Sequence, residues 1–413
     1  MRAPVLCLAA LAAAVSVTPT SAQTVATEVT NDAGTSLLRL NTDAGLVVAG
    51  TADAGTIPVQ GEGVRMMWYP GRYAFRAGRV GNINFMDGRT FWDTANVGAG
   101  SAAFGTNNQA SGTNAFAAGV NTFASGENAF AFNGTASGSG AVAFNGTASG
   151  SGAVAIGSGA QATGDNALSM GPSSVANGTF GVAIGRQNRA DGTQSLALGR
   201  TATAFHQGSI VISDGSARFS SDSLTSARNN DFSLRAVGGV RIFTTLSTQP
   251  SDQTQGGPYA AYAGVRIAPG GGSWTSISDR NQKENVATVD GEALLGALRG
   301  VPVTTWNYIA EGDSVRHMGP MAQDFHAAFG LNGADSLGIN TVDIDGVMLA
   351  GVQALDARTR ALADENAALR SRLDALAAEN AALQAERAVA DTRLARLEAA
   401  LSPPQTLTAG SGH

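Results

Sequence analysis

Short runs in which apolar residues alternate with small ones recur along the middle of the chain. Between residues 101 and 205 the unit is small–apolar–small–apolar–Gly, as in residues 181–185 (GVAIG) and 195–199 (SLALG). Successive units start 12 or 14 residues apart, and residues 132–143 recur letter for letter as residues 144–155. Alternation with period two predicts strands whose larger apolar residues share one face. A fixed period of this length predicts a stack of turns that together bury this face.

These units resemble the head repeats of YadA-like trimeric adhesins, over about a quarter of the chain. Ser-Gly and Asn-Gly pairs between the runs supply the tight turns that such a stack requires. The resemblance implies a left-handed parallel β-roll within a homotrimer, which serves as a stalk or a binding head.

A second periodicity lies near the C-terminus, where apolar residues recur every seven positions. Position d holds leucine in six of seven heptads, and position a mixes apolar and polar residues. This pattern predicts a coiled coil over residues 349–402. Leucine at d with asparagine at a favours two strands, whereas the β-roll resemblance implies three, which is our expectation. The d positions are Leu355, Leu362, Leu369, Leu376, Leu383, Ala390 and Leu397, and the a positions are Val352, Thr359, Asn366, Leu373, Asn380, Arg387, Leu394 and Leu401.

The segments on either side of the repeats read as short strands. Residues 37–40, 46–48 and 65–69 are apolar-rich and are separated by Asp-Ala-Gly and Pro-Gly turns. Residues 232–236 and 240–243 flank Gly238-Gly239 and predict a hairpin. Three aromatic residues near the N-terminal strands offer a stacking surface for sugars, but packing in a core or interface is the preferred interpretation. They are Trp68, Tyr69 and Trp92.

The segment after the Gly-rich residues 269–272 has a different composition, with less glycine and a short predicted helix over residues 292–298. Three of its motifs resemble the peptidase S74 family, the intramolecular chaperone domain of phage tail spikes and tail fibres. They are residues 278–286 (SDRNQKENV), residues 306–308 (WNY) and residues 317–324 (HMGPMAQD). The resemblance covers about a third of the chain, and it implies a small α/β domain that assists trimer folding.

Ser278 precedes Lys283 by five residues, and a Ser/Lys pair can act as a nucleophile and its base. The family resemblance implies these roles and a cut between Ser278 and Asp279. Attack on the carbonyl of Ile277 passes through a less strained ring, so the bond between Ile277 and Ser278 stays a second choice. Lysine has an ordinary pKa near 10.4, so it must be partly dehydrated to accept a proton.

The sequence departs from the family at two positions between these residues. Asn281 and Gln282 stand where many family members have Arg and Leu. His317 lacks a partner at metal-ligand spacing, so a structural hydrogen bond is the preferred interpretation. We expect no metal and no cofactor.

The first residues read as a secretory signal over residues 1–22, with Arg2 before an apolar run and small residues before Gln23. The single cysteine, Cys7, lies within it, so no disulfide is expected in the mature chain. The formal net charge is −6, and no basic patch interleaves with aromatics, so nucleic acid is not an expected partner. We expect a secreted or cell-surface protein without a membrane anchor, or alternatively a virion tail fibre.

The predicted organisation is multidomain and mainly β. A β-rich region (23–100) follows the signal, then come the β-roll (101–205), a β-rich stalk and linker (206–275), the S74 domain (276–348), the coiled coil (349–402) and a disordered tail (403–413). The leading function is a secreted homotrimeric fibre whose C-terminal domain promotes trimer folding and cuts itself off. The alternative is a non-cleaving surface adhesin in which that domain is only a trimerisation cap. A surface glycan or another receptor is a candidate partner whose identity the sequence does not give, and no activity on external substrates is expected.

Overall fold

The computed structural model describes residues 25–30, 32–34, 36–41, 45–83, 86–244, 264–276, 278, 280 and 283–401. The predicted signal peptide and the predicted C-terminal tail lie outside these residues. The described chain divides into two compact units. The first runs to Arg241 and includes Arg266–Trp274, and the second comprises the described residues of Ile242–Val265 and those from Thr275 onward.

Two small antiparallel assemblies open the first unit. Three strands form a meander in the order β1-β2-β3, and two longer strands, β4 and β5, form a hairpin whose second strand joins the main sheet. A further pair, β6 and β7, follows. The bounds are Val25–Thr30 (β1), Ser36–Asn41 (β2), Gly45–Val48 (β3), Gly63–Tyr69 (β4), Ala74–Val80 (β5), Asn82–Ile83 (β6) and Met86–Asp87 (β7).

The repeats form a β-solenoid of about eight turns over residues 102–213. Each turn contributes one strand to a long parallel sheet and one two- or three-residue strand to a shorter parallel sheet. The long-sheet strands are Ala102–Thr106 (β8), Phe116–Val120 (β10), Phe130–Phe132 (β12), Val142–Phe144 (β14), Val154–Ile156 (β16), Leu168–Met170 (β18), Val182–Arg186 (β20), Leu196–Arg200 (β22), Ile210–Ser213 (β24) and Phe232–Arg235 (β26). The short-sheet strands are Gln109–Ala110 (β9), Phe123–Ala124 (β11), Thr135–Ala136 (β13), Thr147–Ala148 (β15), Gln161–Ala162 (β17), Val175–Ala176 (β19), Arg189–Ala190 (β21), Ala202–Ala204 (β23) and Leu224–Thr225 (β25).

The solenoid core is built from alanine. Ala117 and Ala131 on the long sheet, like Ala124 and Ala136 on the short sheet, are fully buried. The expectation that the larger apolar residues fill the core is therefore wrong. Small side chains hold the inward positions of the long sheet from β8 to β24, where Ser169 and Val211 are the exceptions to alanine, and the larger residues point outward.

Close approach between turns explains the Ser-Gly pairs at the corners. A Cβ added to Gly126 would overlap the carbonyl oxygen of Gly138 in the next turn. Several corner positions have positive φ, among them Asn133 and Asn145, and asparagine tolerates this left-handed conformation better than most residues do. These Asn-Gly pairs therefore serve as turns.

The predicted hairpin over residues 232–243 is not formed. Strand β26 instead continues the long sheet, where Phe232 pairs with Ile210 and Arg235 pairs with Ser213 in parallel register. Three further strands lie beyond it in sequence, at Val240–Phe243 (β27), Gly264–Ile267 (β28) and Thr275–Ser276 (β29).

The second unit contains the predicted small α/β region and the long C-terminal helix. Its elements are Gly291–Gly300 (α1), Thr304–Trp306 (β30), His317–Gly319 (β31), Ala322–Phe329 (α2) and Thr341–Leu401 (α3). Asp290 caps α1 by accepting bonds from the backbone N–H groups of Glu292 and Ala293. Helix α3 is continuous over 61 residues and is compatible with a coiled coil. Among the described helices, none is both long and apolar enough to cross a bilayer.

Candidate functional site

The Ser278 and Lys283 side chains are in contact. Lys283 Nζ donates a hydrogen bond to Ser278 Oγ over 2.7 Å. A turn between them brings the two residues together across five positions. In this turn the Lys283 N–H donates to the Arg280 carbonyl over 3.2 Å. Both side chains are exposed in the single chain. The proposed cleavage partners Ile277 and Asp279, like Asn281 and Gln282, lie outside the described residues.

This geometry provides proximity but not dehydration. A lysine can take a proton only as a neutral amine, and removal from water is what favours the neutral form. The Lys283 amine is already at hydrogen-bond distance from the hydroxyl that would attack. The described part of the chain therefore does not remove the pair from water.

A cluster in the second unit surrounds His317. Its Nε2 lies 2.9 Å from Glu311 Oε2, and its ring lies 4.8 Å from that of Trp306. The backbone N–H of Tyr308 and then His317 lower the pKa of Glu311 by hydrogen bonding to its carboxylate. His317 thus fixes the connection between β30 and β31, in agreement with the structural role predicted for it.

The sequence did not indicate that Glu311 and Arg316 belong to this cluster. Arg316 bonds the carbonyl and hydroxyl oxygens of Thr305 across the same pair of strands, each over 2.8 Å. These residues lie in a polar connection that has no periodic pattern, so only the paired strands bring them together.

Two of the candidate sugar-stacking aromatics belong to the core of the first unit. Trp92 is fully buried, and its Nε1 donates to the Asn108 carbonyl over 2.9 Å. Tyr69 is buried in the same cluster, and Trp68 is half-buried. The packing interpretation is therefore confirmed for Trp92 and Tyr69.

The long sheet of the solenoid carries apolar side chains on its outer face. One outward column, here called the apolar stripe, follows the strand register from turn to turn, and Phe132 within it is 44% exposed. Next to it, the Phe116 and Phe130 rings stack with centroids 4.8 Å apart. The stripe consists of Phe104, Ala118, Phe132, Phe144, Ile156, Met170, Ile184, Leu198 and Ile212.

The outer face of the short sheet is more polar. Its outward column holds Gln109, Phe123, Thr135, Thr147, Gln161, Val175 and Arg189. Directly after three of these strands, Thr163 Oγ1 donates to Asn177 Oδ1 over 2.6 Å, and Asn177 Nδ2 donates to Asp191 Oδ1 over 2.8 Å. The two outer faces of the solenoid therefore differ in character, and only the long sheet offers a continuous apolar surface.

Comparison with known proteins agrees with both resemblances drawn from the motifs. Residues 278–333 match the family model for Peptidase_S74, chaperone of endosialidase, and the match begins at Ser278. The YadA head domain repeat matches residues 97–122, 110–132, 148–169, 162–188 and 190–212. No match was found among curated proteins. The two family matches support a trimeric fibre or adhesin that carries a chaperone domain, and such families are typical of extracellular or surface proteins.

Proposed function

We propose that this chain is a secreted homotrimeric fibre whose C-terminal domain promotes trimer folding and is then released by self-cleavage beside Ser278. The observation that carries the proposal is the 2.7 Å contact between Lys283 Nζ and Ser278 Oγ. It joins the two groups that the reaction needs, at the first residue of the S74 match.

In the proposed reaction, neutral Lys283 takes the proton of the Ser278 hydroxyl while Oγ attacks a neighbouring peptide carbonyl. The new C–O bond forms an ester as the C–N bond breaks, and the leaving nitrogen takes the proton. Water then hydrolyses the ester, which restores the hydroxyl and leaves a new carboxylate. The carbonyl of Ile277 and that of Ser278 itself remain the two candidates for attack.

Assembly is the proposed trigger. Both side chains are exposed in one chain, so a neighbouring copy would have to exclude water before Lys283 could act as a base. The apolar stripe and the leucines of α3 support such assembly, because large contiguous apolar surfaces mark interaction sites. Cleavage would then occur only after correct trimerisation.

The direct test is to express residues 23–413 and look for a fragment of about 135 residues, 279–413, by intact mass. Ser278→Ala and Lys283→Met should each abolish it, whereas Ser276→Ala, an exposed serine two residues away, should not. An N-terminal Asp279 or Ser278 on the fragment identifies the bond. Fragment formation that survives both dyad substitutions would refute the proposed roles.

The non-cleaving adhesin remains the second candidate. The exposure of Ser278 and Lys283 in the single chain favours it, because a pair in contact with water lacks the dehydrated setting that the reaction requires. A wild-type chain that forms a stable trimer and stays full length would support this function over the first.

A further inference from the structure

Helix α3 presents a free seam along its length. The seam consists of the a and d positions, counted from Met348 to Leu401, and Leu369 within it is 51% exposed. Helix α1 does not cover the seam, because it packs against a different side of α3. There Leu298 reaches Gly351, and Gly291 lies directly against Ala354. The seam is therefore available to other helices over the whole predicted coiled coil.

Two asparagines interrupt the seam at equivalent places. Asn366 and Asn380 both occupy position a within an identical Glu-Asn-Ala-Ala-Leu sequence, two heptads apart. In the single helix, Asn366 Nδ2 bonds back to the Leu362 carbonyl over 2.8 Å, which leaves its carbonyl oxygen without a described partner. An amide in an apolar seam lowers stability unless another amide faces it.

Only one alignment of identical helices pairs both amides. In a parallel arrangement without a shift, Asn366 meets Asn366 and Asn380 meets Asn380. A shift of one heptad places Asn366 against Leu373, and an antiparallel arrangement places a positions against the leucines at d. Both alternatives bury amides against hydrocarbon, which is unfavourable because the amide groups are left without hydrogen-bond partners.

One pair of opposite charges beside the seam favours the same alignment. Glu365 at position g and Arg370 at the following e position attract each other between neighbouring parallel helices. Arg387 at position a lies between Glu386 and Asp391, and its Nε is 3.9 Å from Asp391 Oδ2 within the chain. In a parallel bundle without a shift, the same acidic residues of the neighbouring copies lie at the height of Arg387.

We propose that Asn366 and Asn380 are register-setting residues, and that the seam is the surface by which further copies of this chain align in parallel. The inference rests on the homotrimer proposed above and adds the alignment of its helices. The paired asparagines lower the stability of the helix bundle but permit only one register. The Ser278–Lys283 pairs of all copies therefore lie at one level.

The test uses the full mature chain, whose sequence from residue 23 contains no cysteine. Leu369→Cys and Leu376→Cys chains with different tags are co-expressed and oxidised. The proposal expects disulfides only between chains that carry the same substitution. Adding Asn366→Leu and Asn380→Leu to both chains should produce disulfides between residues 369 and 376 and should raise the melting temperature of the helix.

The outcomes separate the two levels of the proposal. Mixed disulfides in the natural background would refute the register, and unmixed disulfides after both leucine substitutions would show that other domains set it. Absence of any interchain disulfide, with monomeric mass by light scattering, would instead refute the homotrimer on which the inference rests.

Discussion

The guanidinium of Arg76 donates to the carbonyl of Ala110 over 2.9 Å, at the point where the alanine core of the solenoid begins. Through the parallel pairing of β5 with β8, Arg76 stands next to Ala103 in the inward column of the long sheet. It also bonds the hydroxyl and carbonyl oxygens of Ser101 and is fully buried. A long, hydrogen-bonded side chain thus fills the end of the core, where no earlier turn supplies a short strand opposite it.

Truncation of this side chain should destabilise the N-terminal end of the solenoid. We expect Arg76→Ala to lower the free energy of unfolding by about 2–4 kcal/mol, because it leaves a cavity and removes the donors to Ser101 and Ala110. Arg79→Ala on the exposed face of the same strand is the matched control and should change it by less than about 0.5 kcal/mol. Denaturant unfolding measures both, and equal effects would contradict the capping role.

A methyl group at one corner of the solenoid should separate adjacent turns. Gly126→Ala places a Cβ against the carbonyl oxygen of Gly138, so we expect a loss of roughly 2–4 kcal/mol. Gly215→Ala is the control, because a Cβ there meets no atom within 4 Å and its φ is not positive. The melting temperatures of the two variants should differ by several degrees, and similar values would mean that the turns can move apart freely.

A charge on the apolar stripe should weaken assembly without unfolding the single chain. Phe132 points outward, so Phe132→Asp removes no core contact but puts a carboxylate into the proposed interface, where burial without a partner is costly. Because the seam of α3 can still hold copies together, light scattering over a dilution series should show that trimers of this variant dissociate at a higher concentration than trimers of Thr147→Asp, on the exposed short sheet. Equal dissociation of the two variants would place the solenoid interface elsewhere.

The segment between β24 and β26 should weaken in acid. The backbone N–H of Ala227, followed by the Ser233 hydroxyl, lowers the pKa of Asp231 below its ordinary value of 3.8. The folded form therefore binds fewer protons than the unfolded chain near that pH. The contribution of ionised Asp231 to the free energy of unfolding is complete above pH 3.8. It is lost as the pH falls through the lower pKa of Asp231 in the folded form.

Asp231→Asn removes this titration. Thermal unfolding followed between pH 7 and pH 2.5 should show a shallower acid-side decline for the variant than for the wild type. Parallel curves would contradict the assignment of this acid dependence to Asp231.

The sequence was sufficient to predict elements with a strict period. The repeat of period two located strands such as β14 and β16, and the seven-residue leucine repeat predicted α3. It was not sufficient to decide which face of a strand is buried, because Ala143 and Phe144 are both apolar and alternation does not specify which column faces inward. The prediction of a hairpin over residues 232–243 was also wrong. Strand β26 is more stable as a continuation of the long sheet than as half of an isolated hairpin.

The candidate site was predictable to the same degree. The resemblance to the S74 motif singled out Ser278 and Lys283, and the structure places their side chains in contact. It did not reveal that both side chains are exposed in the single chain, because exposure depends on how the surrounding segment folds.

The two identical segments, residues 132–143 and 144–155, show how such a molecule can change its length. Each turn is bonded only to the turns before and after it, so a duplicated segment of twelve residues fits into the stack without altering either end. Every such duplication would lengthen the rod by one strand spacing, about 4.8 Å. The length of the solenoid is thereby an inheritable quantity that changes in whole steps, while the sequences before and after the repeats stay the same.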